Sequence, residues 1–537
     1  MTALRLLLTL TLGGMVVAPA PAIGQTAASA TIDTGTLAGT AEGDLAVFRG
    51  IPFASPPVGA LRWKAPQPPA AWTGVREART FGAACPQDDA HNEPWARVGP
   101  RSEDCLFLNV WRPQRAGRYP VMVFIHGGSF TYGAAGVPLY DGSALARRGA
   151  VLVTINYRLG RLGYFAHPAL TREDPGGWLG NYGIMDQIAA LEWVKRNITT
   201  FGGDPDNVTI FGESAGGGSV QLLMGSPAAK GLFHKAISQS GAGNSVLPPI
   251  RGGAVSAEMI GKAWADGLGL KDATPEQLRA VPVAELLKNG RAFPFLDGKV
   301  VTRSPGDYFH SREVARIPLM IGGNSNEASL NLKEEMIKPQ MSDAFHELLA
   351  GYAARGGKTP AGALLAAEAG FLLPSYTIAD WHAAAGNRTF AYYFDQVPVD
   401  QRTTAAGTDH GGEMEYVFGS QPVEHRWDAN DKRVSKLAGD YWVSFAKTGD
   451  PNGAGAPRWL AVTSGPTTYL HIGATPRIER LMPLQVKARD LAMASSIKGW
   501  AATPKPNLGP LGRDAMTKPD LTPSTPVLAH NAKADRS

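Results

Sequence analysis

The pentapeptide GESAG, Gly212 to Gly216, follows directly on the run NVTIF (Asn207 to Phe211) and precedes the helix-compatible GGSVQLLM. A serine between two glycines at a strand-to-helix turn must take strained dihedrals if its hydroxyl is to stand clear of the sheet. The flanking glycines leave room for the backbone to cross at close range. A bare GxSxG is a modest signal, and an incidental serine in a glycine-rich turn is the bland alternative. With a strand before it and a helix after it, the pentapeptide reads as a nucleophile elbow, which commits this part of the chain to an α/β sheet carrying Ser214 at its edge.

The surrounding text agrees. YPVMVFIHGGSF holds an apolar run, Val121 to Ile125, stopped by glycines, and a run apolar on both faces is a central strand of a covered, parallel-type sheet. A second such strand is expected at Ala150 to Asn156. Between them and the elbow, GIMDQIAALEWVKRNI spaces Ile184, Ile188, Leu191 and Val194 at helical intervals before Gly202 to Pro205 break the chain. From Ile32 to Pro57 short β-rich runs alternate with glycine turns, as in an antiparallel strand set. The expected class is α/β: a large central, mostly parallel sheet with helices on both faces and a small N-terminal antiparallel sheet.

Composition bounds the rest. With 537 residues, 44% hydrophobic and 18% charged, the chain supports a sizeable core, and no repeat or low-complexity linker divides it before residue 500. One catalytic domain is expected over 25–500. Ahead of it, residues 1–24 carry Arg5, an apolar run from Leu6 to Val17, and small residues at Ala20, Ala22 and Gly24, the pattern of a signal peptide. A membrane anchor would need about 20 continuous apolar residues, and Thr9, Thr11 and two glycines interrupt this run. Export to a secreted or periplasmic location follows, with no integral membrane segment after signal removal. The proline-rich stretch 501–537 reads as a flexible tail.

Cys85 and Cys105 are the two cysteines, and an even pair in an exported chain implies a disulfide. The net charge of +5 falls by one with the signal peptide's Arg5. Basic clusters with interleaved aromatics are absent, so nucleic acid is not an expected partner. HxxxH and CxxC spacings are absent too, so no metal site is expected.

An elbow serine acting on an acyl group needs amides aimed at the developing oxyanion. Ala215 supplies one; the turn HGGSF, ending the earlier strand, offers those of Gly128 and Ser129 at the same sheet edge. Which acid and base complete the site is open on spacing alone: eleven histidines are near-equal choices, and His126 and His234 are structural by default.

In order, FRGIPFASPPVGALRW, SEDCLFLNVW, VFIHGGSF, TINYRLGRLGYF, GNYGIMDQIAALEWVKRNITTFGGDPDNVTIFGESAGG, GGNSNEAS, DHGGEMEYVFG and YWVSFAKTGDPNG resemble the type-B carboxylesterase family over about Thr31 to Trp500. The resemblance implies an α/β-hydrolase fold. It places the acid of NSNEAS at Glu327 and the histidine of DHGGEMEYVFG at His410, and it reinforces the Cys85–Cys105 bridge. It implies a serine ester hydrolase working through an acyl-enzyme without a cofactor, on a small-molecule ester, with oligomeric state open between monomer and dimer.

Phe130 and Glu213 are substrate-pocket candidates by the same likeness; for Glu213 a purely structural place in the elbow is an even alternative. Trp95 resembles the cation-stacking tryptophan of cholinesterases, but Leu330 and Asn331 stand where those enzymes keep aromatics, so loop packing is the plainer reading of Trp95. Pocket walls are expected from 245–316 and 332–388. The first of these carries ten Lys and Arg against eight Asp and Glu, too even a balance to select an anion. Neutral short-chain or aryl esters are therefore the expected substrates. A polycarboxylate ester, lactone, carbamate or amide, or a non-catalytic binding role, are the alternatives.

Overall fold

Hydrogen-bond pairing joins thirteen strands into one sheet among the described residues. In chain order they are β1 (Ala27–Ile32), β2 (Gly35–Glu42), β3 (Leu45–Pro52), β4 (Val75–Glu77), β5 (Phe107–Pro113), β6 (Tyr119–Ile125), β7 (Val151–Ile155), β8 (Gly203–Glu213), β9 (Lys235–Gln239), β10 (Leu319–Asn324), β11 (Thr389–Asp395), β12 (Thr468–Gly473) and β13 (Arg477–Arg480). The structure is a computed structural model describing residues 27–88, 98–174, 176–177, 179–288, 290, 292–453, 455–463 and 467–504. The expected leader at 1–24, Trp95, and the tail beyond 504 lie outside the described residues.

Strand order is β1-β2-β3-β5-β7-β6-β8-β9-β10-β11-β12-β13, with β4 beside β2. From β7 to β12 every neighbouring pair is parallel. β1, β2, β3 and β5 pair antiparallel, as expected of the N-terminal segment, and β5 joins them through β7 to the edge of the same large sheet.

The double-sided apolar run explains why the parallel strands are central. In β6, Val121, Val123 and Ile125 pack into one core with Trp193 and Phe201, while Met122 and Phe124 pack into another with Phe418 and Trp442. Successive side chains on a strand point to opposite faces, so a strand with no polar position can lie only between two layers. Helix Tyr182–Asn197 supplies part of the first layer and helix Ala429–Thr448 part of the second. Among the described residues one helix, Ala361–Ala384, is long and apolar enough to cross a membrane; 72% of its most apolar window is buried inside the protein, as in a core helix. Cys85 and Cys105 are bonded, tying the segment ahead of β5 to its start.

Candidate active site

Each parallel strand ends at the same edge of the sheet, and four of those ends carry the residues singled out above. β6 runs into HGGSF, β8 into GESAG, β10 into NSNEAS, and the segment after β11 leads to Asp409 and His410. Convergence at the carboxyl edge is a consequence of parallel pairing.

At the elbow, Ser214 has φ 56° and ψ −120° between the end of β8 and helix Ala215–Gly225. An alanine at 216 would put its Cβ 2.0 Å from the carbonyl oxygen of Ile125, so only glycine allows this crossing. The Ser214 amide is satisfied by Gln239 O at 2.9 Å, which leaves the side chain free to project.

Ser214 Oγ lies 2.8 Å from His410 Nε2, and His410 Nδ1 is hydrogen-bonded to Glu327 Oε2. Glu327 is itself buried: its Oε1 accepts from Ser240 Oγ at 2.5 Å and from the Asn324 amide at 2.8 Å. The loops bearing acid and base are tied together, since Asn326 and Asp409 form a β-bridge and the His410 amide donates to Ser329 Oγ at 2.9 Å. Three residues separated widely in sequence thus form one chain of hydrogen bonds.

The turn after β6 has the glycine it needs. Gly128 sits at φ 101°, where a Cβ would meet Tyr132 O at 2.1 Å, and Ser129 and Phe130 follow at φ 53° and 59°. Thr131 and Tyr132 donate back to Gly128 O, closing the turn. Among the described residues the amides of Gly128, Ser129 and Ala215 bond to no protein acceptor.

Glu213, for which a pocket place and a structural place in the elbow are even alternatives, lies beside the imidazole. It ends β8 next to Ser214 and is not among the described residues that line the cavity beside Ser214. Its carboxylate is 7% exposed and reaches His410 Nε2 at 3.3 Å. A further carboxylate, Glu413, lies fully buried behind it, accepting from Gln239 Nε2 at 3.1 Å and from Asn324 Nδ2. Sequence reasoning missed Glu413 and Ser240; the first sits inside DHGGEMEYVFG, three residues past His410 on a helical turn.

These carboxylates set the electrostatics. Burial alone would lower the His410 pKa, but the charges of Glu327 and Glu213 and the Glu327 hydrogen bond outweigh it and raise it to about 9. Burial raises Glu213, opposed by His410 and assisted by Glu413 and Glu327. Burial also acts to raise Glu327, yet His410 and the donors from Asn324 and Ser240 hold it below the usual carboxylate range. The arrangement stabilises a protonated imidazole beside Ser214, which is what proton abstraction from a serine produces. By contrast His126 is lowered to about 4 by burial and stacks on Tyr157, and His234 Nδ1 accepts from the Val208 amide, so both remain structural.

Ser214 opens on a cavity of about 500 Å³. Ser129, Phe130 and Ala215 line it, as do Val246, Ile260, Trp264, Phe293 and Phe295 from the expected wall 245–316, and Phe371 from 332–388. Arg161 is the one cation among its described lining residues; its guanidinium donates to the carbonyls of Leu286 and Lys288 and lies 5.2 Å over Trp264. No group of three or more His, Cys, Asp or Glu suited to a metal occurs among the described residues.

A profile described as the carboxylesterase family matches residues 26–357 and 358–492. The chain is 37% identical to a fumonisin B1 esterase of Sphingopyxis macrogoltabida over 78% of its length and 82% of that protein. It is 36% identical to the para-nitrobenzyl esterase of Bacillus subtilis (strain 168) over 79% and 90%. A solved thermophilic PNB esterase superposes with a TM-score of 0.76 at 32% identity, covering 86% of this chain and 99% of the other. Hydrogen-bonded serine, histidine and glutamate, an α/β-hydrolase sheet and these matches lead to one conclusion: the chain belongs to the carboxylesterase family.

Proposed function

We propose that this carboxylic ester hydrolase works with Ser214 as nucleophile, His410 as general base and acid, and Glu327 as the group that orients and charge-stabilises the imidazole. The 2.8 Å contact between Ser214 Oγ and His410 Nε2 carries this reading. As Oγ bonds to the acyl carbon, its proton passes to Nε2, and the carbonyl oxygen gathers negative charge against the amides of Gly128, Ser129 and Ala215. Collapse breaks the ester C–O bond, and His410 gives its proton to the departing alkoxide. Water, deprotonated by the same nitrogen, then releases the acid and restores Ser214. No cofactor enters any of these steps.

For substrate class, the apolar lining favours neutral short-chain or aryl esters. An anionic acyl group would need cations to offset its desolvation, and Arg161 is engaged with two backbone carbonyls. The fumonisin B1 esterase at 37% identity makes a fumonisin-type ester the competing reading. A fluorophosphonate probe, followed by peptide mapping, should label Ser214 stoichiometrically; labelling elsewhere, or none, would remove the mechanism. Within the same reading, 1–24 is a leader, 25–500 the catalytic domain and 501–537 a tail, and the disulfide accords with a secreted or periplasmic location.

A further inference from the structure

The helix Ala361–Ala384 is interrupted over Glu368–Leu372 by a π-helical segment, lying between α-helical Ala361–Ala367 and Leu373–Ala384. π-turns are rare, and they concentrate at functional sites because the widened turn costs stability. This one carries Phe371 to the site. Its ring meets the His410 imidazole at a centroid distance of 5.2 Å and an interplanar angle of 73°, an edge-to-face arrangement. Phe371 also lines the cavity holding Ser214.

A second set of contacts holds the widened turn. Glu368, its first residue, is 4% exposed. One carboxylate oxygen accepts from Tyr352 Oη at 2.7 Å and from Gln485 Nε2 at 2.9 Å, and the other pairs with Arg355 Nη1 at 2.9 Å. These donors come from helices Phe345–Ala354 and Pro483–Ala502 and from the residue that caps the first of them. On the far side Ser375 Oγ donates to Phe371 O at 3.0 Å. Removing the extra residue of a π-turn would rotate what precedes or follows by about 100°, the angle per residue of an α-helix. Phe371 would then face away from the imidazole.

The geometry points to Phe371 as a positioning residue for His410, aimed by the π-turn and held there through the buried Glu368 clamp. Glu327 and Ser214 hold the two nitrogens of the imidazole, and neither hydrogen bond by itself fixes the tilt of the ring about the line joining them. The phenyl ring restricts that tilt. A ring off the Ser214 axis forms the same ground-state complex and transfers the proton less often, so the effect falls on kcat and not on KM.

This inference rests on His410 as the base and is tested apart from it. Phe371→Leu keeps an apolar wall and removes the aromatic contact. With p-nitrophenyl acetate, kcat should fall about 3- to 10-fold, KM should stay within about 2-fold, and the thermal midpoint should be unchanged. Phe371→Tyr should restore kcat. Glu368→Gln should reduce kcat in the same direction, and the double variant should lose no more than the larger single loss, because both act on one contact. If Glu368→Gln does not fold, Tyr352→Phe removes one donor from the same carboxylate and takes its place. A normal kcat in Phe371→Leu, a loss carried by KM alone, or losses that multiply in the double variant would overturn the inference. His410→Ala separates the two ideas: if it abolishes turnover while Phe371→Leu is silent, the base reading stands and the positioning role falls.

Discussion

The carboxyl edge of the sheet and the wall contributed by residues 245–316 border the same cavity but are built on opposite principles. At the sheet edge, Glu327, Glu413 and Ser240 are buried; Glu327 accepts from Ser240 Oγ and the Asn324 amide and pairs with His410, while Glu413 accepts from the side-chain amides of Gln239 and Asn324. On the wall, Ile260 is 57% exposed, Phe293 49% and Val246 46%, and short helices alternate with irregular chain. A buried polar group that loses a partner keeps its desolvation penalty, whereas a half-exposed apolar side chain that is exchanged loses only contact area. The edge therefore fixes the chemistry rigidly, and the wall leaves selectivity open to change.

The largest effect should come from breaking the edge at its reacting atoms. Ser214→Ala and His410→Ala are each expected to lower kcat by about 10⁴- to 10⁶-fold, with the double variant no worse than either, since they share one proton transfer. Steady-state turnover of an aryl ester measures this. Near-normal rates in Ser214→Ala would sink the assignment.

Next in size is a contrast in backbone room. Gly216→Ala forces a Cβ against Ile125 O and should cost about 3 kcal/mol or more in urea unfolding. Gly218→Ala, two residues on and facing the cavity, meets nothing nearer than 3.7 Å and should cost about 1 kcal/mol or less. Equal costs would mean that the close crossing is not what holds the elbow.

On the wall, Phe293→Ser combined with Ile260→Ser should raise KM for a long-chain acyl ester about 10-fold and leave kcat for that ester nearly unchanged. A loss in kcat instead would place the wall inside the chemistry and erase the contrast drawn here.

A pH profile sharpens the other side. An imidazole with no neighbours would set the acid limb of kcat/KM near 6.5. The negative charges of Glu327 and Glu213 favour the imidazolium, which cannot accept the serine proton, so the midpoint should lie above that value. Glu213→Gln removes one of those charges and should move the limb toward lower pH. A limb that does not move would mean that Glu213 carries no charge in the working enzyme.

Salt should matter least. Raising NaCl from 0.05 to 0.5 M should alter kcat/KM on a neutral ester by less than about 2-fold, because the lining described here offers one cation, Arg161. A steep fall on a carboxylate-bearing ester would expose a basic pocket and favour the polycarboxylate-ester alternative.

Sequence alone fixed what depends on local backbone rules. The elbow at Ser214, the turn at Gly128, the double-sided run of β6 and the helix over GIMDQIAALEWVKRNI follow from glycine placement and apolar periodicity, which act over a few residues. Glu327 and His410, singled out by resemblance, are hydrogen-bonded in one chain with Ser214, and no spacing rule chooses His410 among eleven histidines. Tertiary structure decided the rest. Glu213 reaches the His410 imidazole, Glu413 and Ser240 join the polar network, and Phe371 meets His410 from the π-turn of the helix Ala361–Ala384. Each of these depends on where a side chain far away in sequence happens to end, and on the burial that follows, neither of which any local pattern encodes.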